Sequence, residues 1–317
     1  METCSHLDKQ SPRADGFGDG NSRLDARILA VHCFLMPELP EVETIVRGLN
    51  QRVAGDVVES VWLGEKPEPL KSPAKEIVAV VERSRIECVR RVGKHIVFDL
   101  ARPGRNGRRS ARATGQWIVH LGMTGRLLIA SPDSEAVKHT HAVLKLASGR
   151  ELRFVDPRRF GRLAVVRMES KGAGGFAAPG DEPLDSQIER FLLLFRRRKT
   201  PIKSALLNQK LLSGVGNIYA DESLFRAAIR PRRRASSLTR AELGKLHAAV
   251  QEVLREAIEL GGSSVSDYVD AEGREGFFQL QHRVYGREGE PCLVCGTAIK
   301  RVIIAGRSSH YCQHCQK

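Results

Sequence analysis

The sequence predicts an α+β protein with a strand-rich first half, a helical second half and a small cysteine-rich hairpin at the end. Its 317 residues suit two domains of ordinary size. Three observations support this class. Short apolar segments of strand character follow one amphipathic helix, helical periodicity with capping signals begins near residue 200, and four cysteines close the chain in a C-x2-C-x16-C-x2-C pattern.

The strand-rich half begins with a helix that starts at Pro40, where proline fits the first turn and the apolar residues form one stripe. This stripe comprises Val42, Ile45, Val46, Leu49 and Val53. Segments with β character follow at residues 77–81, 94–100, 116–120, 126–130, 142–146 and 151–155. The last two are predicted to pair as a hairpin through Ser148-Gly149, while residues 102–116 form a long basic loop.

The helical half follows a glycine-containing stretch at residues 171–182, which is the predicted linker. Thr200 and Pro201 are predicted as the N-cap and first residue of a short helix. Glycines at 214 and 216 then break the chain before a helix at 218–225. Thr239 and Glu242 form a capping box for a long helix that ends at Gly261-Gly262.

The terminal cysteines predict one structural zinc ion. Two CxxC pairs at this spacing supply four thiolates, which close a tetrahedral site and leave no open position for catalysis. An odd total of seven cysteines argues against a disulfide framework. The predicted ligands are Cys292, Cys295, Cys312 and Cys315.

The charge of the chain predicts a polyanionic partner, with nucleic acid ahead of a lipid surface. The formal net charge is +14, and no apolar run approaches the ~20 residues of a membrane helix. Residues 36–187 hold 25 basic and 19 acidic side chains, and residues 188–317 hold 22 and 13. Both halves are therefore basic, and either could contact a polyanion.

Four segments and the cysteine ribbon together resemble the formamidopyrimidine-DNA glycosylase family, in the family's order. The segments are residues 36–44 (MPELPEVET), 120–125 (HLGMTG), 156–161 (DPRRFG) and 214–220 (GVGNIYA). The resemblance implies an N-terminal antiparallel β-sandwich flanked by helices, then a helix–two-turn–helix domain that ends in a zinc-ribbon hairpin. The implied divisions are 1–35 as an extension outside the family pattern, 36–183, 184–282 and 283–317.

The implied activity is that of a bifunctional glycosylase and abasic-site lyase that excises oxidised purines such as 8-oxoguanine and formamidopyrimidines, with β,δ-elimination. Pro37 is then the nucleophile, because an N-terminal amine has a pKa near 8 and is partly unprotonated at neutral pH. Glu38 is the acid/base group at the sugar, and Glu41 has a supporting role. Lys94 is the family's catalytic-site lysine, and Lys203 matches another lysine near the active site.

The resemblance also implies a set of DNA-binding residues. The target nucleotide must be flipped out of the stack and the gap filled, a role that falls to Met123, Arg158 and Phe160. Asn217 and Arg307 match phosphate-binding residues, and His139 is assigned to DNA binding. Without the resemblance, Met123 and Phe160 would be read as core residues, and the two lysines as exposed charges. A loop at 270–278 is a candidate for reading the flipped base.

The N-terminus departs from the family pattern, because the nitrogen of Pro37 here lies in a peptide bond. Three interpretations follow. Translation begins at Met36 and removal of that methionine exposes the Pro37 amine, or the extension at residues 1–35 is processed away, or the protein is a zinc-containing module that binds DNA without catalysis. A further alternative is an endonuclease VIII-like enzyme for oxidised pyrimidines. The leading interpretation also predicts a monomer that binds damaged double-stranded DNA in the bacterial cytoplasm, associated with the nucleoid and without a membrane.

Overall fold

The computed structural model describes residues 36–102, 114–135, 137–168, 175–264, 271 and 276–317. The N-terminal extension, most of the basic loop, the start of the linker and most of the loop at 270–278 lie outside the described residues. Within the described part, no helix is both long and apolar enough to cross a membrane. The helices are α1 (Leu39–Val53), α2 (Ala74–Val81), α3 (Ile188–Phe195), α4 (Ile202–Leu206), α5 (Asn217–Arg226) and α6 (Arg240–Glu259).

Two four-stranded antiparallel sheets form the first half of the described chain. Their strand orders are β1-β6-β7-β5 and β2-β3-β4-β8. Both sheets contribute to one hydrophobic cluster together with α1 and α2, here called the β core. The strands are β1 (Val58–Leu63), β2 (Arg85–Val92), β3 (His95–Ala101), β4 (Gly115–His120), β5 (Arg126–Ala130), β6 (Thr140–Leu146), β7 (Glu151–Val155), β8 (Arg162–Arg167), β9 (Lys300–Ile304) and β10 (Arg307–Tyr311).

The predicted hairpin at 142–146 and 151–155 is confirmed as β6 paired with β7. The predicted strand at 77–81 is wrong, because these residues belong to α2. Ile77, Val80 and Val81 are buried at helical spacing after Pro73, which is the N-cap residue. A short apolar run does not by itself distinguish a buried strand from one face of a helix.

A second cluster, here called the helical core, lies among α3, α4, α5 and α6. The capping box of α6 is confirmed, since the Glu242 N–H donates to Thr239 Oγ1 at 3.2 Å. The N-cap of α4 is Pro201 instead of Thr200. Ile202 is the first helical residue, and its N–H donates to the carbonyl of Arg233 at 2.7 Å.

Helix α1 joins the two clusters. Leu39, its first residue, is fully buried in the helical core. The later residues of the predicted stripe, from Val42 to Val53, are buried in the β core. The helix therefore begins inside one half of the molecule and ends inside the other, and the residues just before it lie where the two cores meet.

Candidate active site

The start of α1 is fixed by contacts to both cores. Glu38 is the N-cap residue, and its N–H donates to Glu41 Oε2 at 2.8 Å. The N–H of Leu39 donates to the carbonyl of Gly214 at 3.1 Å. Gly214 has a φ of +97°, and a Cβ there would lie 2.8 Å from Leu39 Cδ1. Pro37 is half-buried and immediately precedes this fixed point.

The carboxylate of Glu38 lies against the N-terminus of α5. The N–H of Ile218 donates to Glu38 Oε1 at 3.3 Å, and a helix N-terminus favours negative charge. A Cβ at Gly216 would lie 2.0 Å from Glu38 Cδ, so a residue without a side chain is needed there. Glu38 Oε2 is buried and has no hydrogen-bond partner among the described residues. The hydrogen-bonding capacity of this oxygen is thus unused within the described residues.

Burial raises the pKa of Glu38 to about 7. The positive charge of Lys94 and the backbone N–H groups of Ile218 and Asn217 lower this pKa, while the charge of Glu41 raises it. A carboxyl group with a pKa near 7 is present in both protonation states at neutral pH. It can therefore donate a proton or accept one, as an acid/base catalyst must.

Lys94 lies with Gly93 in the two-residue turn between β2 and β3, and this turn packs against the loop before α5. Gly93 has a φ of +60°, and a Cβ there would lie 3.2 Å from the Cβ of Ser213. Burial lowers the pKa of Lys94, the charges of Glu38 and Glu41 raise it, and Arg307 lowers it. The structure therefore brings Lys94 into the electrostatic field of the carboxylates at the start of α1.

Glu41 is buried and accepts hydrogen bonds from three different segments. The donors are the Glu38 N–H and the Ser263 N–H, both at 2.8 Å, and the hydroxyl of Tyr219. Ser263 follows α6 and Tyr219 belongs to α5. Glu41 therefore connects the start of α1 to the helical half, which is more than the capping role of a first-turn glutamate.

Asn217 and Arg307 lie on adjacent elements. Asn217 is the first residue of α5, and its Nδ2 donates to Ser308 Oγ at 3.4 Å. Arg307, the first residue of β10, is exposed and follows the turn at Ala305 and Gly306, both of which have positive φ. The start of α5 and the tip of the zinc hairpin are thus neighbours.

Lys203 is fully buried, so the interpretation of it as an exposed helix charge is wrong. Its Nζ lies 2.7 Å from Asp221 Oδ1 and donates to the carbonyl of Ser308 at 2.6 Å. Asp221 Oδ2 in turn accepts the His310 N–H at 2.8 Å. The lysine and the aspartate together fasten β10 to α4 and α5.

The sequence reasoning missed Asp221 and Glu222, which follow the glycine motif on α5. Glu222 is buried and accepts the N–H groups of Arg283, Val284 and Tyr285 at 2.8 to 3.0 Å. The available signal was a pair of adjacent acidic residues directly after the Ile218-Tyr219-Ala220 segment of the motif. Their partners are mostly backbone groups, which no residue pattern reveals.

The loops that carry Met123 and Phe160 are held together by Asp156. This buried side chain accepts a hydrogen bond from the Thr124 hydroxyl at 2.6 Å and another from the Gly161 N–H at 2.7 Å. A Cβ at Gly122 would lie 2.5 Å from the carbonyl carbon of Phe160. The sequence placed Met123 and Phe160 together without identifying the aspartate that joins their loops.

At the surface of these loops, Phe160 is 51% exposed and Met123 is half-buried. The guanidinium of Arg158 lies over the Phe160 ring, 4.9 Å from its centroid. Phe160 is therefore not a core residue. His139 is exposed, and its carbonyl accepts the Asp156 N–H at 3.0 Å, which places it beside the same loops.

The four terminal cysteines form one structural zinc site. Their Sγ atoms all lie within 4.8 Å of one another. The Cys292–Cys315 pair is separated by 3.9 Å and the Cys295–Cys312 pair by 3.5 Å. Tetrahedral Zn–S bonds of ~2.3 Å place sulfur atoms ~3.8 Å apart, so the four thiolates fit the ion.

Three known family domains together match most of the chain. Residues 36–163 match the formamidopyrimidine-DNA glycosylase N-terminal domain, and residues 179–269 match the H2TH domain of the same family. Residues 289–317 match the zinc finger found in FPG and IleRS.

Curated relatives and solved structures agree with these matches. The formamidopyrimidine-DNA glycosylase of Solibacter usitatus is 46% identical, covering 89% of this chain and all of the relative. The MutM (FPG) structure from Thermus thermophilus is 42% identical with a TM-score of 0.74, covering 88% of this chain and 98% of that chain.

A Lactococcus lactis FPG mutant in complex with Fapy-dG containing DNA is 31% identical with a TM-score of 0.77, covering 89% of this chain and all of that chain. The matches extend over the β core, the helical core and the zinc hairpin. The Glu38 carboxylate lies where the two cores meet. The chain belongs to the formamidopyrimidine-DNA glycosylase family of DNA repair enzymes.

Proposed function

We propose that this protein excises oxidised purines from double-stranded DNA and cleaves the strand at the resulting site, with Pro37 as nucleophile once it is the N-terminal residue. The observation that carries the proposal is the buried Glu38 carboxylate beside Pro37. It has one oxygen without a partner among the described residues, and burial raises its pKa to about 7. The family match that begins at residue 36 supports Pro37 as the first residue of the active protein.

The proposed reaction begins with attack of the Pro37 nitrogen on C1′ of the flipped nucleotide. A new N–C1′ bond forms as the bond to the damaged base breaks, and opening of the sugar leaves an iminium ion. The iminium withdraws electrons, so the C2′ proton becomes removable and β- then δ-elimination releases the two phosphates. The secondary amine is a suitable nucleophile because its pKa lies far below that of a lysine side chain.

Glu38 is proposed as the acid/base group for the sugar. Its pKa near 7 lets it donate a proton to the sugar oxygen that leaves C1′ as the ring opens, or accept a proton in another step. Gly216 is essential to this role, because only glycine leaves room for the carboxylate at the start of α5.

Lys94, Asn217 and Arg307 are proposed to hold the phosphates beside the flipped nucleotide. A half-turn of the Asn217 amide exchanges its oxygen and nitrogen, since the two are alike in shape. Ser308 then donates to Oδ1, which otherwise has no partner among the described residues, and Nδ2 is free to donate to a phosphate. Lys203 is proposed to act indirectly, by fixing β10 next to α5.

Met123, Arg158 and Phe160 are proposed to fill the gap that the flipped nucleotide leaves. The exposed Phe160 ring suits insertion between bases, and Arg158 beside it can donate to the unpaired cytosine. His139, exposed beside these loops, is proposed as a further DNA contact.

Excision assays on two duplexes test the proposal. Protein that begins at Pro37 should release 8-oxoguanine opposite cytosine faster than thymine glycol. A Pro37→Gly variant should keep its affinity for the duplex but lose most of its excision rate. The opposite preference would favour the endonuclease VIII-like alternative, and an L. lactis Fpg complex with DNA containing an oxidised pyrimidine makes the comparison necessary. Equal rates for Pro37→Gly and wild type would contradict the role of Pro37.

The proposal extends to the organisation of the protein and its place of action. The divisions at 36–183, 184–282 and 283–317 remain predictions, as does the monomeric state. The bacterial origin of the named relatives supports action in a bacterial cytoplasm, on nucleoid DNA. Light scattering that finds a single species of about the mass of one chain would support the monomer, and a dimer mass would contradict it.

A further inference from the structure

Arg91, in β2, makes hydrogen bonds to three separate segments, and its side chain is only 7% exposed. Its Nε donates to Glu43 Oε2 at 2.9 Å, and its two terminal nitrogens donate to both carboxylate oxygens of Glu182 at 2.9 Å each. One terminal nitrogen also donates to the carbonyl of Gly93 at 3.2 Å. A buried guanidinium is thus paired with two carboxylates and a backbone oxygen, and its planar fork suits this arrangement.

The three partners lie on the elements that surround the proposed catalytic groups. Glu43 is on α1, in the helix that begins at Glu38. Glu182 lies in the connector before α3, beside Asp181, whose carbonyl accepts the Ser213 N–H at 2.9 Å. Through this connector, Arg91 is linked to the loop that leads into α5.

The third partner bears directly on Lys94. The carbonyl of Gly93 belongs to the same rigid peptide unit as the N–H of Lys94, so a hydrogen bond to that oxygen fixes the backbone of Lys94. The same turn is confined on its other side by Ser213, which a Cβ at Gly93 would approach to 3.2 Å. The conformation of the turn therefore depends on Arg91 and on the loop before α5.

We propose that Arg91 is a positioning residue that holds Lys94 in register with Glu38 by joining α1, the Gly93 turn and the Glu182 connector. The inference rests on the proposed role of Lys94 in excision. Arg91 acts through these contacts instead of touching DNA, because its side chain is only 7% exposed and its guanidinium donates to these three partners. Lysine at this position keeps the charge but cannot form the fork, so Lys94 would lose its fixed place.

A double-mutant cycle in protein that begins at Pro37 tests this inference. Single-turnover excision of 8-oxoguanine is measured for Arg91→Lys, Lys94→Ala and the combination, together with the thermal midpoint and zinc content. Arg91→Lys should slow excision about tenfold or more, as expected when a catalytic group is displaced. The double variant should be no slower than Lys94→Ala alone, within about twofold, because Arg91 has no effect once Lys94 is absent.

The control is Arg47→Ala. Arg47 pairs with Glu43 at 3.0 Å, the same carboxylate that Arg91 contacts, but its side chain is 60% exposed and this pair stays within α1. This variant should excise at close to the wild-type rate. If Arg91→Lys does not fold, Glu182→Gln replaces it in the cycle and should show the same non-additivity.

The outcomes separate the inference from the function on which it rests. Wild-type excision by Lys94→Ala would contradict the proposed role of Lys94, and this inference would fail with it. Slow excision by Lys94→Ala, with a further and independent loss in the double variant, would overturn the inference alone. Wild-type excision by Arg91→Lys would do the same.

Discussion

At the scale of single residues, the site depends on a carboxylate that folding places in an unfavourable environment. Glu38 is 3% exposed, and one of its oxygens has no partner among the described residues. The N-terminus of α5 and Lys94 offset part of the cost of burying the charge, yet the pKa of Glu38 still rises to about 7. Burial of the Glu38 carboxyl beside Pro37 therefore lowers the stability of the fold at neutral pH.

Glu38→Gln should abolish excision and stabilise the fold above neutral pH. The pKa of Glu38 rises from 4.5 in the unfolded chain to about 7 in the folded protein, so folding favours the protonated form. Glu38 therefore carries no penalty below pH 4.5. It lowers the free energy of unfolding progressively as the pH rises from 4.5 to about 7, and the loss is constant above that range. At pH 8 this loss is on the order of 3 kcal/mol.

Chemical denaturation at pH 5 and pH 8 measures the effect. Glu38→Gln should gain more stability relative to wild type at pH 8 than at pH 5. The control, Glu59→Gln, replaces an exposed carboxylate on β1 and should show no such dependence. A variant that loses stability at pH 8 would mean that the ionised carboxylate is favourably solvated in the folded protein.

Gly216→Ala should slow excision by ~100-fold or more, because the new Cβ displaces the Glu38 carboxylate from the start of α5. Gly244→Ala is the matched control. Gly244 lies within α6, where a Cβ would meet nothing within 4 Å, so alanine should raise stability by up to ~1 kcal/mol and leave excision unchanged. Single-turnover rates that match for the two variants would contradict the steric argument.

At the scale of elements, α5 is the common support of the site. Its first turn receives Glu38, and Tyr219 holds Glu41. The next turn uses Asp221 and Glu222 to bind β10 and residues 283–285. One ten-residue helix thus sets the positions of the N-terminal segment and the zinc hairpin relative to each other.

Zinc removal should weaken DNA binding by about tenfold or more, because a hairpin this small depends on its metal for a fixed shape. Cys312→Ser should have the same effect through loss of a ligand that is fully buried. Cys88→Ser, at a half-buried cysteine on β2 outside the cluster, should keep one zinc ion and wild-type affinity. Metal content and the Kd for a duplex with an abasic-site analogue measure both effects. Unchanged affinity after loss of zinc would show that DNA binding by Arg307 does not depend on the shape that the metal gives the hairpin.

At the scale of the whole molecule, α1 connects the strand-rich half and the helical half of the described chain. Leu39 packs in the helical core, and the rest of its apolar stripe packs in the β core. The residues before the helix, including Pro37, are consequently positioned by both halves. Both halves also carry excess positive charge, which suits a DNA duplex that contacts each of them.

Binding to the damaged duplex should weaken steeply with salt, because each neutralised phosphate releases counterions. Arg307→Ala should reduce the slope of log K against log salt by about one, since one phosphate contact is lost. Arg301→Ala is the control on the same hairpin, where the side chain lies 3.7 Å from Glu288. Equal slopes for the two variants would contradict the assignment of Arg307 as a phosphate ligand.

Much of this fold was predictable because its determinants are local. The stripe of α1, the capping box of Thr239 and the hairpin of β6 and β7 are each encoded within a few residues. The cysteine spacing likewise predicted the metal site. The α2 helix was mistaken for a strand because its apolar run is short.

The supporting contacts of the site were not predictable from local patterns. Lys203 reads as an exposed helix charge until the fold brings Asp221 to it from eighteen residues away. Arg91 resembles any other charged residue of a strand, and its partners come from α1 and from a connector 91 residues later. The positions of these groups depend on how distant parts of the chain pack together. The spacing of residues along the sequence does not reveal this packing.

Borohydride trapping tests the central claim most directly. Reduction of the iminium converts a transient intermediate into a stable protein–DNA adduct, and mass spectrometry of its peptides locates the bond. Protein that begins at Pro37 should form the adduct on 8-oxoguanine duplex at the Pro37 nitrogen, while the full chain that retains residues 1–36 should form none there. An adduct at any lysine, or no adduct from protein that begins at Pro37, would contradict the assignment of the nucleophile.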